Sequence, residues 1–523
     1  MDTDKLKSFE DLKNLKPYDI HKIDGERVKK CNIKGKVSFN YACSPVDDEH
    51  IDVFKRIVNE AKVFEKFDDL LSGKRVNISE NRAVLHHLLR GNPKGFKVTL
   101  DGEDKEEFYK NECRKIFEFA DSVREGTIKG STGKRINTVV QIGIGGSDLG
   151  PRAMCIALSS YARANKIDII TPKFISNVDP EDAISVMSEV DPETTLFILV
   201  SKSGTTLETL QNKTIVDALS KMKATSADFD FKKHLLAVTS ATSPLAKSND
   251  VLKAFYMDDY IGGRYSSTSG VGLLVMSIAY GSVSAKDFLN GAKEGDENAV
   301  ETDIYKNRAL LDALIGIYER NVLGYPSLAI LPYSEAMKRF AAHLEQLDME
   351  SNGKSVNLNY ERINYKTGPV IFGESGTSSQ HSFYQHLHQG TDITPLEFIA
   401  FNSNSAISDD NKSKALLEDS HEKLIANVIA QMVAFAKGFE NTNLNKNFDG
   451  GRPSSLIYAS SLTPFTLGAI LSHFENKVMF QGFIWNINSF DQEGVQLGKK
   501  LALSILDGTT KDTSLLAFKS ILS

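Results

Sequence analysis

Residues Thr195–Thr209 read TLFILVSKSGTTLET. An apolar, β-branched run, Thr195–Val200, stops at Ser201-Lys202-Ser203-Gly204-Thr205-Thr206. Leu207, Leu210, Ile215, Ala218, Leu219 and Met222 then recur at helical spacing. The pattern predicts a buried strand, a tight loop and a helix, the repeating unit of a parallel sheet. Thr205 and Glu208 stand at capping-box spacing for the helix start. The loop thus gathers four hydroxyls, one lysine and one glycine at a helix N-terminus. A phosphate monoester asks for that set: hydroxyl donors, free backbone N–H groups, the positive end of a helix dipole and a point charge. Without a ligand the same residues make a Ser/Thr-rich capped loop with a solvated lysine, and spacing alone leaves both readings open.

Outward from this loop the pattern repeats. Thr138–Ile144 (TVVQIGI) is a second strand, followed by Gly145-Gly146-Ser147-Asp148-Leu149-Gly150-Pro151. Ser147 or Asp148 is placed to cap the next helix, and Pro151 suits its first turn. A dinucleotide fingerprint is absent, because Asp148 stands where the last glycine of GxGxxG belongs. Gly353-Lys354-Ser355 resembles the end of a nucleotide P-loop, but Asp348 occupies the place of its first glycine. A small phosphorylated metabolite is the ligand these absences favour. Leu235–Thr239, Ser327–Leu331, Pro369–Phe372 and Phe483–Ile487 are further strand candidates, and 286–320 is helical in period. The fold class expected is α/β: two αβα sandwiches with mainly parallel sheets, plus helical N- and C-terminal segments. The division expected is a smaller unit over 115–285, carrying the phosphate loop, and a larger one over 1–114 and 286–523.

Bulk properties agree. Of 523 residues, 41% are apolar and 25% charged, with a net charge of −6 and a pI near 6.1. Such a balance excludes a disordered or fibrous chain and gives no global attraction to nucleic acid or anionic lipid. Cys31, Cys43, Cys113 and Cys155 form no CxxC pair, so neither a disulfide framework nor a zinc knuckle is expected. The charged start, MDTDKLKSFEDLKNLK, has no signal-peptide core. The longest nearly apolar stretch, Val271–Tyr280, is about half of a membrane span. A cytoplasmic protein without membrane or nucleic-acid partners is the expectation.

Candidates for acid–base chemistry lie downstream. Tyr333–Gly353 reads as one helix, with Met337, Phe340, Ala341, Leu344 and Leu347 on its core stripe and Gln346 and Glu350 off it. A carboxylate near a helix C-terminus is electrostatically uncomfortable, which favours a general base. A solvated glutamate is the plainer reading. On one helix His381 and His388 would share a face, with His386 ~140° away, so no metal-ligand spacing results. Arg264 sits in the glycine turn Gly262-Gly263-Arg264-Tyr265-Ser266. Gln492 and Lys499 follow Phe490-Asp491 on a helix whose Leu497, Leu501 and Ile505 are read as facing the core.

In order, GIGGSDLGP (143–151), SKSGTTLET (201–209), GGRYS (262–266), QLDMESNGKSV (346–356), SQHSFYQHLHQGT (ending at Thr391) and FDQEGVQLGKKLA (ending at Ala502) resemble the phosphoglucose isomerase family across almost the whole chain. The resemblance implies a sugar-isomerase-type fold and interconversion of glucose 6-phosphate and fructose 6-phosphate, as in glycolysis and gluconeogenesis, with no cofactor and no metal. It implies that Ser201, Lys202, Ser203 and Thr206 hold the sugar phosphate, with Gly146 and Ser147 beside the sugar. Glu350 would move a proton between C2 and C1. His381, which matches the family's Gln-His pair at Gln380-His381, and Lys499 would assist ring opening. Arg264 would face the enediolate, and Gln346 and Gln492 would position substrate. A homodimer with shared active sites, each His381 serving the other subunit, is likewise implied.

The chain departs from the family pattern at Ser375, Ser378 and Ser379, where Pro, Asn and Gly are common. Ser267-Thr268 replaces Leu-Trp, and Gln496 replaces Glu. Ser375, Ser378, Ser379 and Gln496 neighbour His381 and Lys499, whose side chains are kept. A non-catalytic sugar-phosphate-binding regulator of the same fold is the alternative, but it need not keep Glu350, Arg264, His381 and Lys499 together. The amidotransferring glucosamine-6-phosphate synthase needs a cysteine after the initiator Met, where this chain has Asp2. Activity on mannose 6-phosphate is left open.

Overall fold

A computed structural model of the chain describes residues 2–407 and 412–522. Two sheets organise it. The first runs, in spatial order, Thr171–Ile175, Thr138–Ile142, Thr195–Val200, Leu235–Thr239 and Lys253–Tyr256, and every pairing is parallel. Thr195–Val200 is buried at all positions, as a strand covered on both faces must be.

The second sheet is mixed. Ser454–Ala459, Leu396–Phe401, Ser327–Pro332 and Val370–Gly373 lie parallel in that spatial order. Val37–Asn40 adds antiparallel to Ser454–Ala459, and Asn32–Ile33 pairs outside it. Numbered by sequence within each sheet, the parallel strands stand 2-1-3-4-5 in the first and 2-1-3-4 in the second. In both, the order reverses beside the first strand, so a crevice opens beyond the carboxyl ends there. The first sheet delivers the loops after Ile142 and Val200 to its crevice. The second delivers the segments after Pro332 and Phe401.

Between the sheets lie long helices. Gly270–Tyr280 is buried at every residue, and so is nearly all of Pro464–Ile484. Pro464–Ile484 packs on Ser282–Ala299 through glycines: a Cβ on Gly291 would meet the Phe465 carbonyl oxygen at 1.8 Å, and one on Gly468 the Phe288 oxygen at 2.0 Å. Charged groups within this packing are paired. Arg90 binds Asp296 at 2.8 Å and Glu475 at 2.7 Å, while Lys477 binds Asp312 at 2.9 Å and Glu397 at 2.6 Å.

Several expectations need correction. Phe483–Ile487 is not a strand: Phe483 and Ile484 end the helix Pro464–Ile484, and Trp485 follows as its C-cap. A helix buried all round shows no polar face, so its last turn reads like a short buried strand. Tyr333–Gly353 is not one helix. A short 3₁₀ turn, Glu335–Met337, precedes the α-helix Phe340–Glu345, and Gln346–Glu350 forms a widened π turn. Ser378–His381 and Tyr384–Gln389 are separate helical pieces, and His388 stacks on Phe435 with ring centres 3.7 Å apart. Leu497, Leu501 and Ile505 do not enter the core, because the helix Gln496–Leu506 buries no residue.

Candidate active site

The loop after Val200 and the helix Leu207–Lys223 take the expected strand–loop–helix form, with one difference. Thr206, not Thr205, is the N-cap, and no side chain caps the first turn. The first-turn N–H groups are therefore left to a ligand or to water. Gly204 turns the loop at φ +69°. Ser201 Oγ accepts from the Gly204 N–H at 3.1 Å and shares a hydrogen bond with Thr206 Oγ1 at 3.0 Å. Ser203 is exposed, and its Oγ accepts from Thr205 N–H and Oγ1. Lys202 does not extend into solvent. Its ammonium donates to the carbonyls of Asp259 at 2.7 Å and Ile261 at 3.0 Å. Burial, and next the charge of Arg82, lower its pKa.

The first strand's loop lies alongside. Asp148 is the N-cap of Leu149–Ala164, but its side chain makes no cap bond and pairs with Arg152 at 2.8 Å instead. Gly146 lies against the turn that presents Arg264. A Cβ there would fall 2.2 Å from the carbonyl carbon of Gly263, so neither backbone could approach with a side chain at position 146. A Cβ on Gly145 would lie 3.3 Å from Gln346 Nε2, which brings the second sheet's helix to the same place.

At this junction Arg264 is buried, 1% exposed, with every donor used. Nε donates to Ser351 Oγ at 2.6 Å, and Nη2 to the carbonyls of Ser489 at 2.7 Å and Asp491 at 3.0 Å. Nη1 donates to Glu350 Oε2 at 3.1 Å and Gln492 Oε1 at 3.2 Å. Gln346 Nε2 donates to the same Glu350 oxygen at 3.1 Å. Glu350 and Gln346 line an open cleft of about 420 Å³ with Leu149, Met349 and Glu374. The structure thus brings Glu350, Arg264, Gln346 and Gln492 into one hydrogen-bonded cluster beside Gly145 and Gly146. His381 and Lys499 are exposed and stand outside it.

Other members of the cluster carry no sequence signal of their own. Ser351 and Tyr265, 3.1 Å apart at their hydroxyls, brace the guanidinium, and burial pushes the Tyr265 phenol up to about 12. Lys354 Nζ donates to the Glu350 and Asp491 carbonyls and pairs with Asp491 Oδ1 at 3.0 Å. In the sequence it falls in a failed P-loop match and in the 346–356 stretch, neither of which marks its role. Among the described residues, Asp312, Glu397 and His473 bring ligand atoms within 4.8 Å of one another, a grouping invisible along the chain. The Lys477 ammonium already stands against both carboxylates and supplies the balancing charge.

Two αβα layers with mainly parallel strands, an uncapped Ser/Thr/Lys loop and a carboxylate held by a buried arginine define a class, the sugar-isomerase type of α/β protein. The chain belongs, more narrowly, to the phosphoglucose isomerase family, whose model matches residues 40–521. It is 53% identical over 501 residues to the glucose-6-phosphate isomerase of Treponema denticola, covering 95% of this chain and 93% of the relative. It is 47% identical to that of Borreliella burgdorferi, covering 96% and 94%. The crystal structure of a glucose-6-phosphate isomerase from Chlamydia trachomatis superposes with a TM-score of 0.91 at 37% identity, covering all of both chains.

Proposed function

We propose that this chain is a glucose-6-phosphate isomerase, exchanging glucose 6-phosphate and fructose 6-phosphate. The carrying observation is the Glu350–Arg264–Gln346–Gln492 cluster set beside an uncapped helix N-terminus, in a chain of this family. Named relatives at 47–53% identity over nearly the full length favour an enzyme over a non-catalytic binding protein.

In this reading Ser201, Ser203, Thr206 and the free N–H groups of the first helical turn hold the phosphate, with the Lys202 charge behind them. Gly146 and Ser147 border the sugar. His381 and Lys499 move protons during ring opening. The Glu350 carboxylate takes the proton from C2 of the open aldose, leaving a cis-enediolate. Arg264 stabilises the negative oxygen while the O2 hydroxyl proton passes to O1, and Glu350 then returns its proton to C1 as O2 becomes the ketose carbonyl. Gln346 and Gln492 fix the chain in the cleft. The distant phosphate grip supplies binding energy for that placement. The chain offers a side chain for each need of this route, and we take the route to use neither metal nor cofactor.

We assign a homodimer in the same reading. From Gln492 onward no described residue is buried, and Leu497, Leu506 and Phe518 are 67%, 69% and 64% exposed. An apolar surface of that extent asks for cover, and a second copy would supply it while bringing His381 to its neighbour's cluster. Each sheet draws its strands from only one of the two units, 115–285 or the remainder, which supports that division. A cytoplasmic location suits the four free, buried cysteines, and among the described residues no helix is long and apolar enough to cross a membrane. The test is a coupled assay of purified protein with fructose 6-phosphate, run with and without chelator. Formation of glucose 6-phosphate in both is expected. No turnover defeats the isomerase reading, and activity lost in chelator and restored by a divalent ion defeats its metal-free form.

A further inference from the structure

We propose that Lys354 is a positioning residue that locks Glu350 and Gln492 into one frame, an inference that rests on the isomerase reading above. Glu350 and Gln492 come from segments far apart in sequence, and each must meet the same guanidinium within about half an ångström to be useful. Glu350 ends a π turn, and Gln492 lies in an irregular segment after the buried helix Pro464–Ile484. Gln492 thus has no regular backbone ladder to hold it, and Glu350 stands near the end of its own.

Lys354 joins the two. Its Nζ lies 2.8 Å from the Glu350 carbonyl oxygen, 2.9 Å from the Asp491 carbonyl oxygen and 3.0 Å from Asp491 Oδ1. An ammonium has three protons, and each finds an acceptor here. Asp491 Oδ2 in turn accepts from Ser79 Oγ at 2.6 Å and Asn488 Nδ2 at 2.8 Å. Both side chains are largely buried, 16% exposed for Lys354 and 12% for Asp491. The Asp491 carbonyl also accepts from Arg264 Nη2 at 3.0 Å, so two cations share one oxygen beside Gln492. Lys354 does not line the cleft of Gln346 and Glu350, so its effect is transmitted through the backbone at 350 and 491. Without its ammonium, Asp491 and Gln492 would be tied to the π turn only by Arg264 and, one turn away, by the Ser489 Oγ bond to Asn352 Oδ1 at 2.7 Å. A displacement of about 1 Å in such a cluster costs on the order of 10²-fold in rate.

The experiment uses the full-length protein with three variants: Lys354→Met, Lys354→Met with Asp491→Asn, and Lys354→Arg. Turnover, melting temperature and affinity for a non-isomerisable hexitol 6-phosphate are measured. Lys354→Met should lower kcat by ~10–10²-fold and leave hexitol phosphate affinity within ~3-fold, because the 201–206 loop is untouched. It should also melt earlier, since a buried carboxylate loses its partner. The double variant removes that stray charge and should regain melting temperature while kcat stays low. Lys354→Arg, which keeps charge and donors, should regain most of kcat. A Lys354→Met enzyme with near wild-type kcat would overturn the proposal. So would a double variant whose kcat recovers with its melting temperature, and this second variant carries the test if the first fails to fold. Wild-type turnover is measured first. Its absence would overturn the isomerase reading, whereas an active wild type with unaffected variants overturns only the role of Lys354.

Discussion

Replacing Glu350 by glutamine separates proton transfer from every other task of the site. The two side chains have the same shape. One amide oxygen can accept from Arg264 Nη1 and Gln346 Nε2 in place of Glu350 Oε2, which receives both at 3.1 Å. What is lost is charge. A hydrogen bond to a charged group is worth ~1.5–3 kcal/mol and a neutral one ~0.5–1.5, so the folding cost is about 1–3 kcal/mol. The upper end reflects the buried guanidinium losing its counter-ion. A fold with ~5–15 kcal/mol in hand survives that. The kinetic cost is larger. Removing a general base costs ~10²–10⁴ in rate, or ~2.7–5.5 kcal/mol on the barrier. Glu350→Gln should therefore melt slightly earlier, bind a hexitol 6-phosphate about as tightly as wild type, and isomerise at least ~10²-fold more slowly. Exchange of solvent deuterium into C2 of the sugar should vanish with the rate. Exchange that persists in a folded, sugar-binding variant means that the proton is carried by another group, and the assignment fails.

Mixing Glu350→Gln with His381→Ala tests the shared site. If each His381 serves its neighbour, random pairing makes half the dimers mixed, one site in each is intact, and activity returns to roughly a quarter of wild type. Confirmed subunit exchange without recovery would place both residues in one chain's site. Lys202→Met should raise KM for the sugar phosphate ~10-fold or more. It should also loosen the 259–261 segment that its ammonium ties down. A lowered melting temperature with unchanged KM would make Lys202 a latch and nothing else. Glu319 gives a pH test. Burial pushes its carboxyl up to about 8, so between its unfolded pKa, near 4.5, and 8 the folded state keeps a proton that the unfolded state has lost. Stability from this group is thus greatest at low pH and falls as pH rises through that window. Glu319→Gln should stabilise the protein by roughly 3 kcal/mol more at pH 8 than at pH 5 in urea denaturation. An equal effect at both pH values would contradict the buried, protonated acid.

What could be read along the chain follows from how each segment finds its cover. Thr195–Val200 and Leu235–Thr239 are parallel strands covered on both faces, and such strands read as unbroken apolar runs. Leu396–Phe401 is buried throughout and Ser454–Ala459 at all positions but Leu456 and Tyr458, yet Glu397 and two serines interrupt their apolar pattern. Glu397 is tolerated there only because Lys477, 80 residues away, neutralises it. Gln346 and Glu350 were legible as a pair four apart, yet the π turn that aims them adds one residue to a helical turn and leaves no mark on periodicity. That Lys354 and Asp491 pair is not legible along the chain, because a clamp between segments 137 residues apart exists only after folding. The helix Gln496–Leu506 carries the sharpest lesson. Its stripe of Leu497, Leu501 and Ile505 correctly states that one face requires apolar cover. A stripe at helical spacing cannot name the source of that cover, and a core of the same chain and a surface of a second copy read alike. In the structure no residue of this helix is buried by its own chain, and Lys499 sits on it. The two residues that stand outside the Glu350 cluster, His381 and Lys499, are thus both exposed, one of them on a helix that still lacks cover. Completing the site and covering the helix become one question, answered by whether two chains meet there.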